Sequence, residues 1–182
     1  MDPVPFLSAR GLVSRGASAL VSLGFADAPE DRFAELRRRF LTLYRDRLSL
    51  ETCAFAGSLD LLDALEQRGI PWGIVTNKPG WLTEPLLLAL GLHARARVVV
   101  SGDTLPERKP HPLPLLHAAR ELQVGPEYCI YFGDDARDVQ AARAAGMVSL
   151  VACFGYIPAT EDSQRWPAHG WLESPLQLLD WL

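Results

Sequence analysis

A chain of 182 residues, 48% hydrophobic and 22% charged, can bury one good core with a small appendage, and its composition is that of a soluble globular protein. The formal charge of −4, with no dense Lys/Arg block, speaks against a nucleic-acid binder. The longest weakly charged run, 144–160, is broken by Gly146, Gly155 and Pro158 and is no membrane span.

Residues 1–52 read as helical. A gentle helix is expected over 7–23, holding Ser14-Arg15-Gly16. A second opens at Pro29-Glu30 and carries Phe33, Leu36, Phe40, Tyr44 and Leu48 as one apolar stripe. Arg37, Arg38 and Arg39 sit near Glu30, Asp31 and Glu35 and read as a solvated face. From Cys53 the rhythm changes to strands alternating with helices. Helix 58–68 takes Ser58 as its cap and Gly69 as its stop. Strand 71–76, helix 81–90, strand 97–100, helix 113–122 and strand 128–132 follow. Helix 135–145, strand 148–153 and a closing helix 175–182 complete the chain. That alternation predicts a mostly parallel sheet covered on both faces, an α/β fold with a helical appendage in front. No basic start followed by an apolar run marks a leader after Met1-Asp2-Pro3. Cys53, Cys129 and Cys153 lack metal-ligand spacing, and two lie in apolar strand-like runs, which fits a reducing cytoplasm.

In such sheets ligands gather outside the C-terminal ends of the strands, and three strand ends here carry polar chemistry. Thr76 and Asn77 precede a helix start whose free N–H groups suit a phosphate, although Thr and Asn also cap ordinary helices. Lys109, next to Pro110-His111-Pro112, is an ammonium in a stiffened extended segment and can act as a point charge on an oxyanion. Alone it reads as a solvated lysine. The apolar run Tyr128-Cys129-Ile130-Tyr131-Phe132-Gly133 leads straight into Asp134, Asp135 and Asp138. Carboxylates so close repel one another, and a hard cation such as Mg²⁺ keeps all of them ionised. An acidic helix start is the plain alternative. Hydroxyl, cation and acidic cluster in this order suit phosphoryl chemistry, which rests on positioning and charge neutralisation.

Val75-Thr76-Asn77-Lys78-Pro79, Lys109-Pro110-His111-Pro112 and Gly133-Asp134-Asp135-Ala136-Arg137-Asp138 resemble motifs two, three and four of the haloacid dehalogenase-like (HAD) superfamily. The match spans most of residues 53–182. The acidic motif, with Ala141-Ala142 and Ala145-Gly146 behind it, is similar to the phosphoglycolate phosphatase-like branch. Trp72-Gly73-Ile74-Val75 and Phe154-Gly155-Tyr156-Ile157 with Trp166 are similar to the N-acetylmuramic acid 6-phosphate phosphatases of cell-wall recycling. The resemblance implies a Rossmann-like three-layer core at 53–182 and a small helical cap, most of it residues 1–52. It implies Mg²⁺-dependent hydrolysis of a small phosphorylated metabolite, through an aspartyl-phosphate. By it, Thr76 and Asn77 hold the phosphoryl group, and Lys109 neutralises it and orients the nucleophile. Asp134 ligates Mg²⁺, Asp138 supports it, and Asp135 is the third acidic member. Ser14, Arg15 and Gly16 lie on the substrate-facing loop of the cap. Phosphoglycolate is the alternative substrate.

The superfamily's first motif, a strand ending in Asp-x-Asp that supplies the nucleophile and the general acid–base, has no counterpart here. Only Met1-Asp2-Pro3-Val4-Pro5 precede the helical zone, and Asp2 has no apolar strand before it. The expected core lacks its first strand and shows two unpaired inner edges. Loss of a nucleophile lowers a rate by on the order of 10⁶ in a protease precedent, so these residues alone are expected to be nearly inactive. Three readings follow: a phosphatase whose nucleophile strand is encoded upstream, a chain that binds a phosphorylated ligand without turnover, and a related phosphotransferase such as a sugar-phosphate mutase. Oligomeric state is left open.

Overall fold

The computed structural model describes residues 4–182, so Met1, Asp2 and Pro3, and with them the reading of Asp2, lie outside the described residues. The stretch 7–23 is not one helix. α1 (Phe6–Arg10) stops at Gly11, a 3-10 turn spans Val13–Arg15, and α2 (Gly16–Gly24) follows. The break coincides with Gly16, whose φ of 81° suits glycine and strains other residues. α3 (Glu30–Asp46) places Glu30 and Asp31 in its first turn, where they complement the helix dipole. Phe33, Leu36, Phe40 and Tyr44 form its half-buried face, Leu48 just past its end is buried, and α2 packs against it.

α4 (Ser58–Gln67) is capped by Gly57 in the left-handed region, and Ser58 makes no capping bond, contrary to expectation. The stop at Gly69 holds: the Ile70 N–H donates to Leu65 O at 2.9 Å, closing the helix end. Next come β1 (Gly73–Val75), α5 (Gly80–Ala89), β2 (Val98–Val100), α6 (Leu113–Leu122), β3 (Ile130–Gly133), α7 (Ala136–Ala144) and β4 (Val148–Ala152). A short β5 (Gly170–Leu172), which no alternating run announces, and a 3-10 segment Pro175–Trp181 in place of the expected α-helix end the chain. Every ladder is parallel, as βα alternation requires.

The sheet is divided. β1 pairs with β2, β3 with β4 and β4 with β5, and among the described residues no ladder joins β1 to β3. Side chains bridge the gap instead: the Tyr131 hydroxyl donates to Val75 O at 2.9 Å, and Lys109 Nζ donates to the same carbonyl at 2.8 Å. Strand alternation sends Tyr131 to one face and Ile130 and Phe132 to the other. The first face rests on Leu115, Ala119, Ala141, Ala142, Ala145 and Met147, the second on Leu61, Leu65, Leu150, Leu172 and Leu178. Ala141 and Ala142 are 0% exposed, and their small side chains let α7 approach the strands closely. The three cysteines are free; Cys129 and Cys153 lie just outside β3 and β4 rather than within them, and burial pushes both thiols up. No helix among the described residues is long and apolar enough to cross a membrane.

Candidate active site

β3 delivers its acidic run at a glycine because nothing larger fits. A Cβ at Gly133 would collide with the Asp138 carboxylate, which folds back over the strand end from the first turn of α7. Asp135 is the N-cap of that helix. Its side chain accepts the Arg137 N–H at 2.9 Å, while Asp138 Oδ2 accepts the Asp135 N–H at 3.1 Å, a reciprocal capping box. The Arg137 guanidinium closes on Asp135 at 2.8 and 2.7 Å. Burial pulls the Asp135 carboxyl up, but the hydrogen bonds and charge of Arg137 outweigh it and hold the group below the usual carboxylate range.

Asp138 and Lys109 are both buried, 7% and 8% exposed. Lys109 Nζ lies 2.7 Å from Asp138 Oδ1, 2.6 Å from Tyr131 Oη and 2.8 Å from Val75 O. Three acceptors meet its three N–H donors, which offsets the cost of burying the charge. Burial, and then the neighbouring Asp138 carboxylate, raise the Tyr131 phenol well above its ordinary value, so it stays a donor. Asn77 holds the lysine's backbone at both ends: its amide donates to Lys109 O at 2.9 Å and its carbonyl accepts the Lys109 N–H at 3.1 Å. Thr76 Oγ1 accepts the Lys78 N–H at 3.1 Å at the end of β1. Asn77, Lys109 and Asp138 thus form one linked group at the division between the two sheets, with Thr76 beside Asn77 at the end of β1.

Asp134 faces elsewhere. Both its oxygens accept from Ser14 Oγ, at 3.1 and 3.0 Å, and Oδ2 also accepts the Tyr156 N–H at 2.7 Å. Ser14 therefore reaches the acidic motif across 120 positions of chain. Arg15 turns aside to pair with Glu161, and Gly16 only supplies the bend. Among the described residues no three His, Cys, Asp or Glu side chains are placed to share a metal ion. The three carboxylates expected to crowd one cation relieve their repulsion through separate partners: Ser14 for Asp134, Arg137 for Asp135 and Lys109 for Asp138. Mg²⁺ is commonly held by one or two carboxylates together with substrate phosphate, and Asp134, bonded among the described residues to a hydroxyl and one N–H, fits that smaller donor set.

Sequence reasoning missed the roles of Tyr131, Arg137 and Tyr156. Arg137 stands inside the acidic run and Tyr131 in the apolar strand that leads to it, where a buried tyrosine needs a partner for its hydroxyl. Tyr156 acts through its backbone, which leaves no mark on residue type.

The family described as Haloacid dehalogenase-like hydrolase matches residues 22–152. The chain belongs to that family. Sequence relatives of this HAD-like chain include a phosphoglycolate phosphatase of Xanthomonas campestris pv. campestris, 44% identical over 169 residues, covering 93% of this chain and 76% of the relative. An N-acetylmuramic acid 6-phosphate phosphatase of Pseudomonas aeruginosa is 36% identical over 183 residues, covering 99% and 80%. The HAD fold is shared with the crystal structure of a predicted phosphoglycolate phosphatase from Haemophilus somnus, at a TM-score of 0.87 and 23% identity, covering 99% of this chain and 83% of that one.

Proposed function

We propose that this HAD-family protein is a Mg²⁺-dependent phosphomonoester hydrolase of a small phosphorylated metabolite. The favoured substrate is a sugar phosphate such as N-acetylmuramic acid 6-phosphate, and phosphoglycolate is the alternative; the sequence relatives carry both names. The observation that carries the reading is the buried corner where Asn77 fixes Lys109 beside Asp138, next to Thr76 and to the strand end that presents Asp134. Residues 53–182 form the catalytic core and residues 1–52 most of a cap. The Thr76 hydroxyl, which accepts from Lys78, keeps its own hydrogen for a phosphoryl oxygen. Asn77 acts by setting the lysine backbone, and the Lys109 ammonium neutralises phosphoryl charge. Asp134, backed by Asp138, would hold Mg²⁺, which when bound supplies alignment and neutralisation of phosphate oxygens. Asp135 caps α7.

The nucleophilic carboxylate, the one that becomes an aspartyl-phosphate, belongs on an apolar strand seated between β1 and β3. The unpaired inner edges and the side chains spanning to Val75 O support this placement. Without that strand the 182 residues bind phosphate and turn it over slowly or not at all. The setting is a reducing cytoplasm, consistent with three free thiols, in carbohydrate salvage of the peptidoglycan-recycling kind. No nucleic acid or membrane takes part.

The test is replacement of Asp134→Asn in the gene of the source cells, followed by phosphate-release assays on the purified protein. Mg²⁺-dependent release is expected to fall by a factor on the order of 10² or more, as for loss of one electrostatic stabiliser. Full release by that variant would remove Asp134 from the cation site.

A further inference from the structure

The cap reaches the acidic motif through one short segment, residues 10–15. The Arg10 guanidinium lies 5.0 Å from the centre of the Tyr156 ring, and Gly11 passes close enough to Pro158 that a Cβ would come within 2.9 Å of its Cα. Arg15 pairs with Glu161, and Ser14 Oγ sits between the two oxygens of Asp134. The Ser14 carbonyl is fixed in turn by Arg137 Nη2 at 2.8 Å, while the same guanidinium grips Asp135. One fork thus joins this segment to the start of α7, from a residue two beyond the N-cap Asp135 and three beyond Asp134.

We infer that Arg137 is a positioning residue that holds Ser14 on Asp134, so that the cap segment and a divalent cation compete for the same carboxylate. The inference rests on the cation assignment made above. A hydroxyl hydrogen directed at both oxygens occupies the face a cation would approach, and a cation there repels that hydrogen. Ser14 must let go, and with it the segment anchored by its carbonyl. Coupling of this kind is reciprocal: the cation loosens the docked segment by the same factor that the segment weakens the cation. Arg137 suits the task because its planar fork serves two acceptors at once, which a lysine ammonium at that position does less well.

The experiment uses the whole protein as its source cells make it, with Mg²⁺ alone. Calorimetric titration compares the unsubstituted chain with Ser14→Ala, Arg137→Lys and the double variant, and hydrogen exchange follows residues 10–16 with and without the ion. Ser14→Ala is expected to bind Mg²⁺ about ten-fold tighter, the scale of one hydrogen bond to a charged group. Arg137→Lys, which keeps the charge, is expected to bind it several-fold tighter, and the double variant no tighter than Ser14→Ala, because both substitutions release one contact. In the unsubstituted chain Mg²⁺ is expected to speed exchange across 10–16 and leave α7 unchanged. Mg²⁺ binding by the unsubstituted chain with no gain in Ser14→Ala, or protection of 10–16 by the ion, overturns the inference and leaves the phosphatase reading standing. A gain in Ser14→Ala alone, with none in Arg137→Lys, removes Arg137 from the role. Absence of Mg²⁺ binding in every form overturns the inference and the cation assignment together.

Discussion

Lys109 and Asp138 were legible as chemistry but not as partners. The sequence marks a lysine in a proline-rich stretch and an acid after a strand, and each reads as a ligand for something outside the chain. In the fold they neutralise one another, with the Tyr131 hydroxyl and the Val75 carbonyl completing the set. Their pairing follows from two strand ends meeting, which no local spacing encodes. Lys109→Met is expected to destabilise the chain by about 3–5 kcal/mol, because it leaves the Asp138 carboxylate buried without its cation, held only by neutral donors such as the Asp135 N–H. Tyr131→Phe is expected to cost about 1–2 kcal/mol, the loss of one acceptor for a buried donor. Urea unfolding of both variants and of their combination checks this, and the two costs are expected to be less than additive. Equal stability of Lys109→Met and the unsubstituted chain would mean that the pair carries no buried charge.

The elements that sequence patterning located best are those with a strong period or a glycine at the boundary, α3, α4 and α7 among them. The front helix was read too long because apolar residues recur through 7–23, while the chain stops at Gly11, makes a 3-10 turn over Val13–Arg15 and restarts at Gly16 with its positive φ. β5 escaped because three residues beginning with glycine carry no alternation. In α7 the run Asp135-Ala136-Arg137-Asp138 encodes two things at once, a capping box and an acidic cluster, and only the fold separates them. Asp135 is held low by Arg137 against the opposing pull of burial, so its contribution is present above the ordinary carboxylate range and lost as pH falls through the lowered value. Asp135→Asn is accordingly expected to be less stable than the unsubstituted chain at pH 7, with the difference shrinking as the pH drops below about 4. Chemical denaturation at the two pH values decides it; a gap that widens in acid would assign the Asp135 contribution the wrong sign.

At the scale of the molecule, βα alternation was enough to give the α/β class and the parallel ladders. Among the described residues the sheet is divided between β1 and β3, and Tyr131 and Lys109 reach across that division to Val75 O. What the sequence could not place was the contact of Ser14 with Asp134, since Ser14 carries no local signal for a partner 120 positions away. The central claim is a Mg²⁺-dependent phosphatase completed by a strand in that division. The most direct measurement is phosphate release from N-acetylmuramic acid 6-phosphate by the protein isolated from its source cells, before and after chelation of divalent ions, with the intact mass read on the same sample. The expected result is release that stops on chelation, returns with Mg²⁺, and comes from a species several kilodaltons heavier than these 182 residues, since a βα unit adds about 30 residues. Release that ignores chelation, or full turnover by a species of the 182-residue mass, would contradict the account.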